Sequence, residues 1–218
     1  VFERVELRVR DFEASRRFYA TVLGALPLGP TQRDADGRAL AWGDFALAPA
    51  RDGEPATRGL HLGFSAPSHE AVDAFWQAGL RAGHREDGPP GLRPQYVADY
   101  YGAFLLDPDG NSAEAVHHGG VRGDGTVDHL WIRVADLAAA RSWYAALAPA
   151  AGWHVRDSDE TRVRVEGPGP AGSFALVADG QPPTAAAHLA VVASDPARAE
   201  TYRDPDGNRV ELLAPPPR

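Results

Sequence analysis

The chain has 218 residues, a formal net charge of −8 and a pI near 5.4. It contains no basic run longer than a pair such as Arg16-Arg17, which removes the electrostatic basis for binding nucleic acid or an anionic membrane surface. Cysteine is absent and all 22 basic side chains are arginine, so disulfides, thiolate nucleophiles, lysine Schiff bases and lysine-dependent phosphate loops are excluded, and any metal must be held by His, Asp and Glu.

In chain order, the first predicted strand runs through VELRV and ends at Asp11, a residue suited to N-capping. A helix follows with Phe12, Phe18, Val22 and Leu23 at helical spacing. RALAWGD and FALAPA then read as a hairpin, LHLGFSA as a further strand carrying His61, and residues 68–83 as a helix with Val72, Phe75, Trp76 and Leu80 on one face. REDGPPGLRPQ reads as a Gly/Pro-rich loop leading into a closing hairpin, YGAFLLDPDGNSAEAVHH, whose turn is built on Pro108 and Gly110. Glu114 stands on the strand just past that turn. His117 and His118 are expected in a solvent-facing tail.

The same order then recurs. RVRDFEASRRFY returns as RVADLAAARSWY, with Arg8, Val9, Asp11, Arg16 and Tyr19 matched by Arg133, Val134, Asp136, Arg141 and Tyr144. The second helix carries Leu137, Trp143 and Leu147, TRVRVEG and SFALVAD form the second hairpin, AHLAVVA carries His188, and TYRDPDGNRVELL closes the chain with Glu211. The interval from His188 to Glu211 is about thirty residues shorter than that from His61 to Glu114, enough to remove a helix and a strand. Two tandem modules are expected, residues 1–118 and a shortened 126–218, joined by a flexible linker at 119–125.

The openings RVRDFEASRRFY and HLWIRVADLAAARSWY, the midpoints HLGF and HLAV, and the twofold DPDGN finish with its glutamate resemble the vicinal oxygen chelate superfamily, which includes glyoxalase I, bleomycin-resistance proteins and extradiol dioxygenases. The resemblance covers nearly the whole chain. It implies an α+β fold of βαβββ units in cupped mixed sheets, and metal ligands on the first, fifth and eighth strands of a module. Carried onto this sequence, the second copy offers His129, His188 and Glu211, while the first offers Arg4, His61 and Glu114, with Glu6 two residues beyond Arg4 on the same strand face. Two His and a carboxylate suit Fe(II), Mn, Ni or Zn and leave positions open for a bidentate oxygen ligand. If the halves pair within each copy, as in extradiol dioxygenases, His129 meets His188 and Glu211. If they pair across copies, as in glyoxalase I, His129 meets His61 and Glu114, and Arg4 faces His188 and Glu211.

The resemblance therefore implies a metal-dependent enzyme, of isomerase/lyase or dioxygenase type, acting on a small substrate with vicinal oxygens, with Glu114 or Glu211 as the catalytic carboxylate. The alternative is a metal-free protein that sequesters an aromatic antibiotic. Arg4, Trp42, Tyr96, Tyr100 and Tyr101 are the candidate ligand-binding residues, although aromatic strand residues more often belong to a core and Arg4 more often to an ion pair. The shortened copy leaves apolar sheet to be covered by the first copy or by a second chain in a homodimer. No apolar run reaches the length of a membrane span, and the N-terminus shows no basic region followed by an apolar core, so the expected location is the cytoplasm.

Overall fold

The computed structural model describes residues 2–26, 28–30, 32–33, 39–119, 126–167 and 173–215, with residues 32–33 described by backbone alone. The expected linker at 119–125, apart from Gly119, lies outside the described residues. The first copy runs β1 (Arg4–Val9), α1 (Phe12–Gly24), β2 (Gln32–Arg33), β3 (Leu40–Trp42), β4 (Phe45–Pro49), β5 (His61–Ser65), α2 (His69–Arg81), β6 (Arg85–Leu92), β7 (Tyr101–Leu106) and β8 (Ser112–His117). The second runs β9 (Val127–Arg133), α3 (Leu137–Ala151), β10 (His154–Asp159), β11 (Arg162–Glu166), β12 (Ser173–Val177), β13 (His188–Val192), a single 3₁₀ turn at Pro196–Arg198, β14 (Thr201–Arg203) and β15 (Arg209–Leu213). That 3₁₀ turn stands where the first copy has α2 and β6. No helix among the described residues is long and apolar enough to cross a membrane.

The helix starts follow the sequence. Asp11 accepts from the Ala14 N–H, Asp136 from Ala138 and Ala139, and Ser68 from Ala71, so each N-terminus has one or two of its orphan donors met by a capping side chain. Two strands depart from expectation. REDGPPGL is an edge strand, paired to β7 with register shifts between Glu86 and Gly88 and between Gly88 and Gly91; prolines lack a ladder donor, and a bulged edge is where a sheet tolerates them. β10, HVRDSD, is exposed along most of its length, so it shows none of the alternation that marks a half-buried strand.

The sheets mix the two copies. One has the order β14-β15-β13-β1-β4-β3-β2 and the other β10-β11-β12-β9-β5-β8-β7-β6. The joints between copies are antiparallel: β1 against β13, with Glu6 opposite His188, and β5 against β9, with Gly63 opposite His129. Two buried threonines brace this exchange symmetrically. Thr57 Oγ1 accepts from Arg8 N–H and donates to the Ala186 carbonyl, while Thr184 Oγ1 accepts from Arg133 N–H and donates to the Gly59 carbonyl.

The repeated DPDGN turns also acquire a reason. Asp107 accepts from the backbone N–H of Asp109 and Asn111, from the Asn111 side chain and from the Tyr19 hydroxyl at 2.9 Å; Asp204 repeats the set with Asp206, Asn208 and Tyr144. Each turn is thus pinned to the helix of its own copy through a fully buried tyrosine. A single apolar cluster joins both sheets and all three helices. Leu189, Val191, Val210 and Leu212 of the shortened half are at most 2% exposed within it, so the cover that this half needs is supplied inside the chain.

Candidate functional site

Strand pairing across copies decides which residues meet. β9 lies beside β5, and β5 beside β8, so His129, Gly63 and Glu114 fall in one row, and His61 stands two residues from Gly63 on the same face. His61 Nε2 is 2.9 Å from Glu114 Oε2, His129 Nε2 is 3.3 Å from the same oxygen, and the two imidazole nitrogens are 3.3 Å apart. Among the described residues this is the one group of three whose donor atoms lie mutually close enough to hold a metal ion. Ligands about 2.0–2.2 Å from an ion stand roughly 3 Å apart at right angles, so the three separations fit a facial set.

The surroundings support the three donors. Asp128 Oδ1 is 3.0 Å from His129 Nδ1, the arrangement that fixes the tautomer and orientation of a ligating imidazole. Tyr100 donates from its hydroxyl to Glu114 Oε1 at 2.7 Å, leaving Oε2 for the imidazoles. His61 stacks on Trp131 at 4.6 Å. Glycine provides the room: a Cβ at Gly63 would overlap the His129 ring, and one at Gly102 would overlap Glu114 Oε1. Gly63→Ala is therefore expected to displace the His129 ring, costing about 1–3 kcal/mol of stability by overpacking and weakening metal retention, as checked by thermal unfolding and metal analysis.

Burial works against the charged form of His129, but the Asp128 and Glu114 carboxylates override it and hold the ring protonated up to about 9. Burial likewise opposes ionisation of Glu114, and its hydrogen bonds to His129 and His61 bring it down to about 2. His61 is lowered, because burial outweighs its bond to Glu114. Asp128 is lowered despite burial, through His118 and His129. The signs follow. The Glu114 contribution to stability is complete above its free value of 4.5 and is lost as pH falls through about 2; that of His129 is complete below its free value of 6.5 and is lost as pH rises through about 9. A metal ion must displace the His129 proton, so the apparent Zn²⁺ affinity of the chain is expected to rise by up to about tenfold per pH unit below pH 9, with proton release seen by calorimetry in buffers of different ionisation enthalpy. A flat affinity between pH 6.5 and 8 would contradict it.

The remaining candidates divide. Tyr96 and Tyr100 line a cavity of about 280 Å³ beside the triad, together with Trp131, Arg162 and His118. His118, expected in a tail, sits 3.1 Å from Asp128 and stacks on Tyr100. Trp42 is not brought to this cavity; it is 1% exposed among Tyr19 and Phe45 in the core. Tyr101 is on the other face of its strand, stacked on His69 and bonded to Asp73 of α2. His188 and Glu211 lie in the other sheet, so the His129, His188 and Glu211 set does not assemble. There, His188 Nε2 meets Glu211 at 2.9 Å while Nδ1 meets Glu6 at 3.3 Å. With carboxylates on opposite ring nitrogens, the three cannot converge on one ion. Arg4 stands 3.9 Å from Glu211, and Arg8 pairs with Glu6 at 2.7 Å, so arginines occupy the surroundings of the second His/Glu pair. Sequence reading missed Asp128, Trp131 and Arg162. Of these only Asp128 carried a signal, as an acid adjacent to a candidate ligand.

The sequence model of the Glyoxalase/Bleomycin resistance protein/Dioxygenase superfamily matches residues 1–115. The chain belongs to this superfamily. A glyoxalase/bleomycin resistance protein from Albidiferax ferrireducens is 38% identical over 54% of this chain and 98% of its own length, with a TM-score of 0.48. Glyoxalase I from Zea mays is 17% identical over 98% of this chain and 92% of its own, with a TM-score of 0.67, and shares the fold of the whole superfamily chain described here. A search of curated proteins finds no match. The superfamily fold, with βαβββ units from two copies sharing each sheet, is thus what carries the triad.

Proposed function

We propose that this chain is a metal-dependent enzyme of the isomerase or lyase type, acting on a small substrate with vicinal oxygens. The observation that carries the reading is the pairing of β9 with β5, which follows the cross-copy arrangement of glyoxalase I and brings His129 to His61 and Glu114. These three side chains would hold a divalent ion, Fe(II), Mn, Ni or Zn, and Asp128 would keep His129 in its ligating tautomer. When bound, the ion supplies Lewis-acid polarisation of the substrate oxygens. The chain's own residues do the rest. Tyr100 positions the Glu114 carboxylate, Glu114 is the group available to hold a proton beside the substrate, and Trp131 and Tyr96 line the cavity that receives it.

The test is turnover after loading with each of the four metals, using the thiol adduct of a 2-oxoaldehyde for isomerisation and a catechol with dioxygen for ring cleavage. Turnover of the first alone is expected. A chain that takes up none of the four metals would overturn the reading, and would favour the metal-free sequestering protein for which Tyr96, Tyr100 and Trp131 already provide aromatic walls.

A further inference from the structure

The cavity beside the triad has a second polar end that the proposed chemistry does not use. Arg162, on β11, lines it, with its guanidinium 4.5 Å from the centre of the Trp131 ring. Trp131 is the same ring on which His61 stacks, so two ring contacts connect the ligating triad to one cation. Neighbouring arginines are neutralised: Arg164 by Glu166 at 3.4 Å, and Arg133 by Asp179 at 2.9 Å. Arg162 has no carboxylate within ion-pair distance among the described residues, and its Nε is shut off from solvent without a hydrogen-bond partner there. Asp159, the cross-strand partner of Arg162, lines the same cavity and feels the Arg162 charge, but its side-chain hydrogen bonds are to the Thr161 N–H and hydroxyl. A partly buried guanidinium held against an indole face, with its Nε unpartnered and no carboxylate in contact, is costly to keep unless a ligand supplies the acceptor.

Resting on the metal-site reading above, the geometry points to a small, flat substrate that carries a carboxylate, received by Arg162, at the end opposite its vicinal oxygens. The planar guanidinium recognises a carboxylate through paired N–H donors, and indole stacking fixes its plane in advance. Size sets the rest of the class. At about 280 Å³ the cavity lies at the lower edge of ligand pockets, which run from roughly 300 to 1,000 Å³, and its floor is made of the small residues Ser173 and Ala175 beside Trp131. A single substituted ring fits this description better than a long flexible chain.

Benzohydroxamate supplies two vicinal oxygens on a ring, so the probes are benzohydroxamate, its 4-carboxy derivative and its 4-carbamoyl derivative, titrated calorimetrically into Zn²⁺-loaded wild type and Arg162→Gln. The 4-carboxy compound is expected to bind wild type at least about tenfold more tightly than the isosteric amide, and Arg162→Gln to abolish that ratio between the two compounds. In ¹⁵N-labelled protein the Arg162 Nε–H signal, assigned by its loss in Arg162→Gln, is expected to shift with the 4-carboxy compound and not with the amide. Equal affinities in wild type, or a preference that survives in Arg162→Gln, would overturn the carboxylate proposal. Failure of benzohydroxamate itself would overturn the metal reading instead. The carboxylate would then be decided on the metal-free chain by benzoate against benzamide, where an unmoved Arg162 signal sinks it.

Discussion

His129→Ala is expected to cost the chain its bound divalent ion, while His188→Ala keeps it. His129 contributes one of three donors whose separations are 2.9 to 3.3 Å, and Asp128 orients it from behind. Changes to such orienting partners alone typically cost about 10- to 100-fold in affinity, so loss of the ligand itself should exceed roughly 100-fold. The metal-free variant should also be less stable than metal-free wild type by about 3 kcal/mol, because Glu114 is left fully buried without its cationic partner. Metal analysis after dialysis, together with the Zn²⁺-induced rise in Tm, reads both effects. Wild type should gain Tm with Zn²⁺, His188→Ala should gain it equally, and His129→Ala should not gain it. Retention of metal by His129→Ala with loss in His188→Ala would locate the ion in the other sheet and reject the triad.

Asn111→Ala is expected to be among the most destabilising single changes in the chain, for reasons unrelated to metal. Its amide is fully buried; Oδ1 accepts from Leu60 N–H, and Nδ2 donates to the Thr57 carbonyl and to Asp107. Asp107 keeps its Tyr19 hydroxyl, so truncation strands two groups at once, the Leu60 N–H and the Thr57 carbonyl, each costing about 1–3 kcal/mol when unmet, and a loss of at least about 2 kcal/mol follows. For a chain of this size that is a fall in Tm of roughly 4–8 °C. Asn208→Ala should cost less. The counterpart amide bonds only to Ala187 N–H and Asp204 among the described residues, and Asp204 keeps its Tyr144 hydroxyl, which leaves one stranded group rather than two. Equal effects of the two substitutions in thermal unfolding would show that the third bond, to Thr57, contributes nothing.

Much of this was legible because it is local. The caps at Asp11 and Asp136, the helical faces of Phe18 and Leu147, and the paired DPDGN turns each depend on residues within one turn or hairpin of each other. The failures have equally definite causes. Trp42 and Tyr101 were aromatic strand residues whose face could not be assigned until their neighbours were known; one faces Tyr19 and the other α2. β10 carried no alternation because its surface is exposed, and the β6 segment read as a loop because its prolines are tolerated only at a bulged edge.

By itself the sequence determined the duplicated unit, its strand and helix order, the short inventory of possible ligands, and the fact that Arg4 breaks the ligand pattern in one of two sets. Only the tertiary structure decided which half pairs with which. All four halves present strands with similar apolar alternation, so either pairing satisfies the local pattern. The choice lies in long-range contacts: the β1–β13 and β5–β9 joints, and the two threonines that cross them. That choice places Glu114, and not Glu211, against His129.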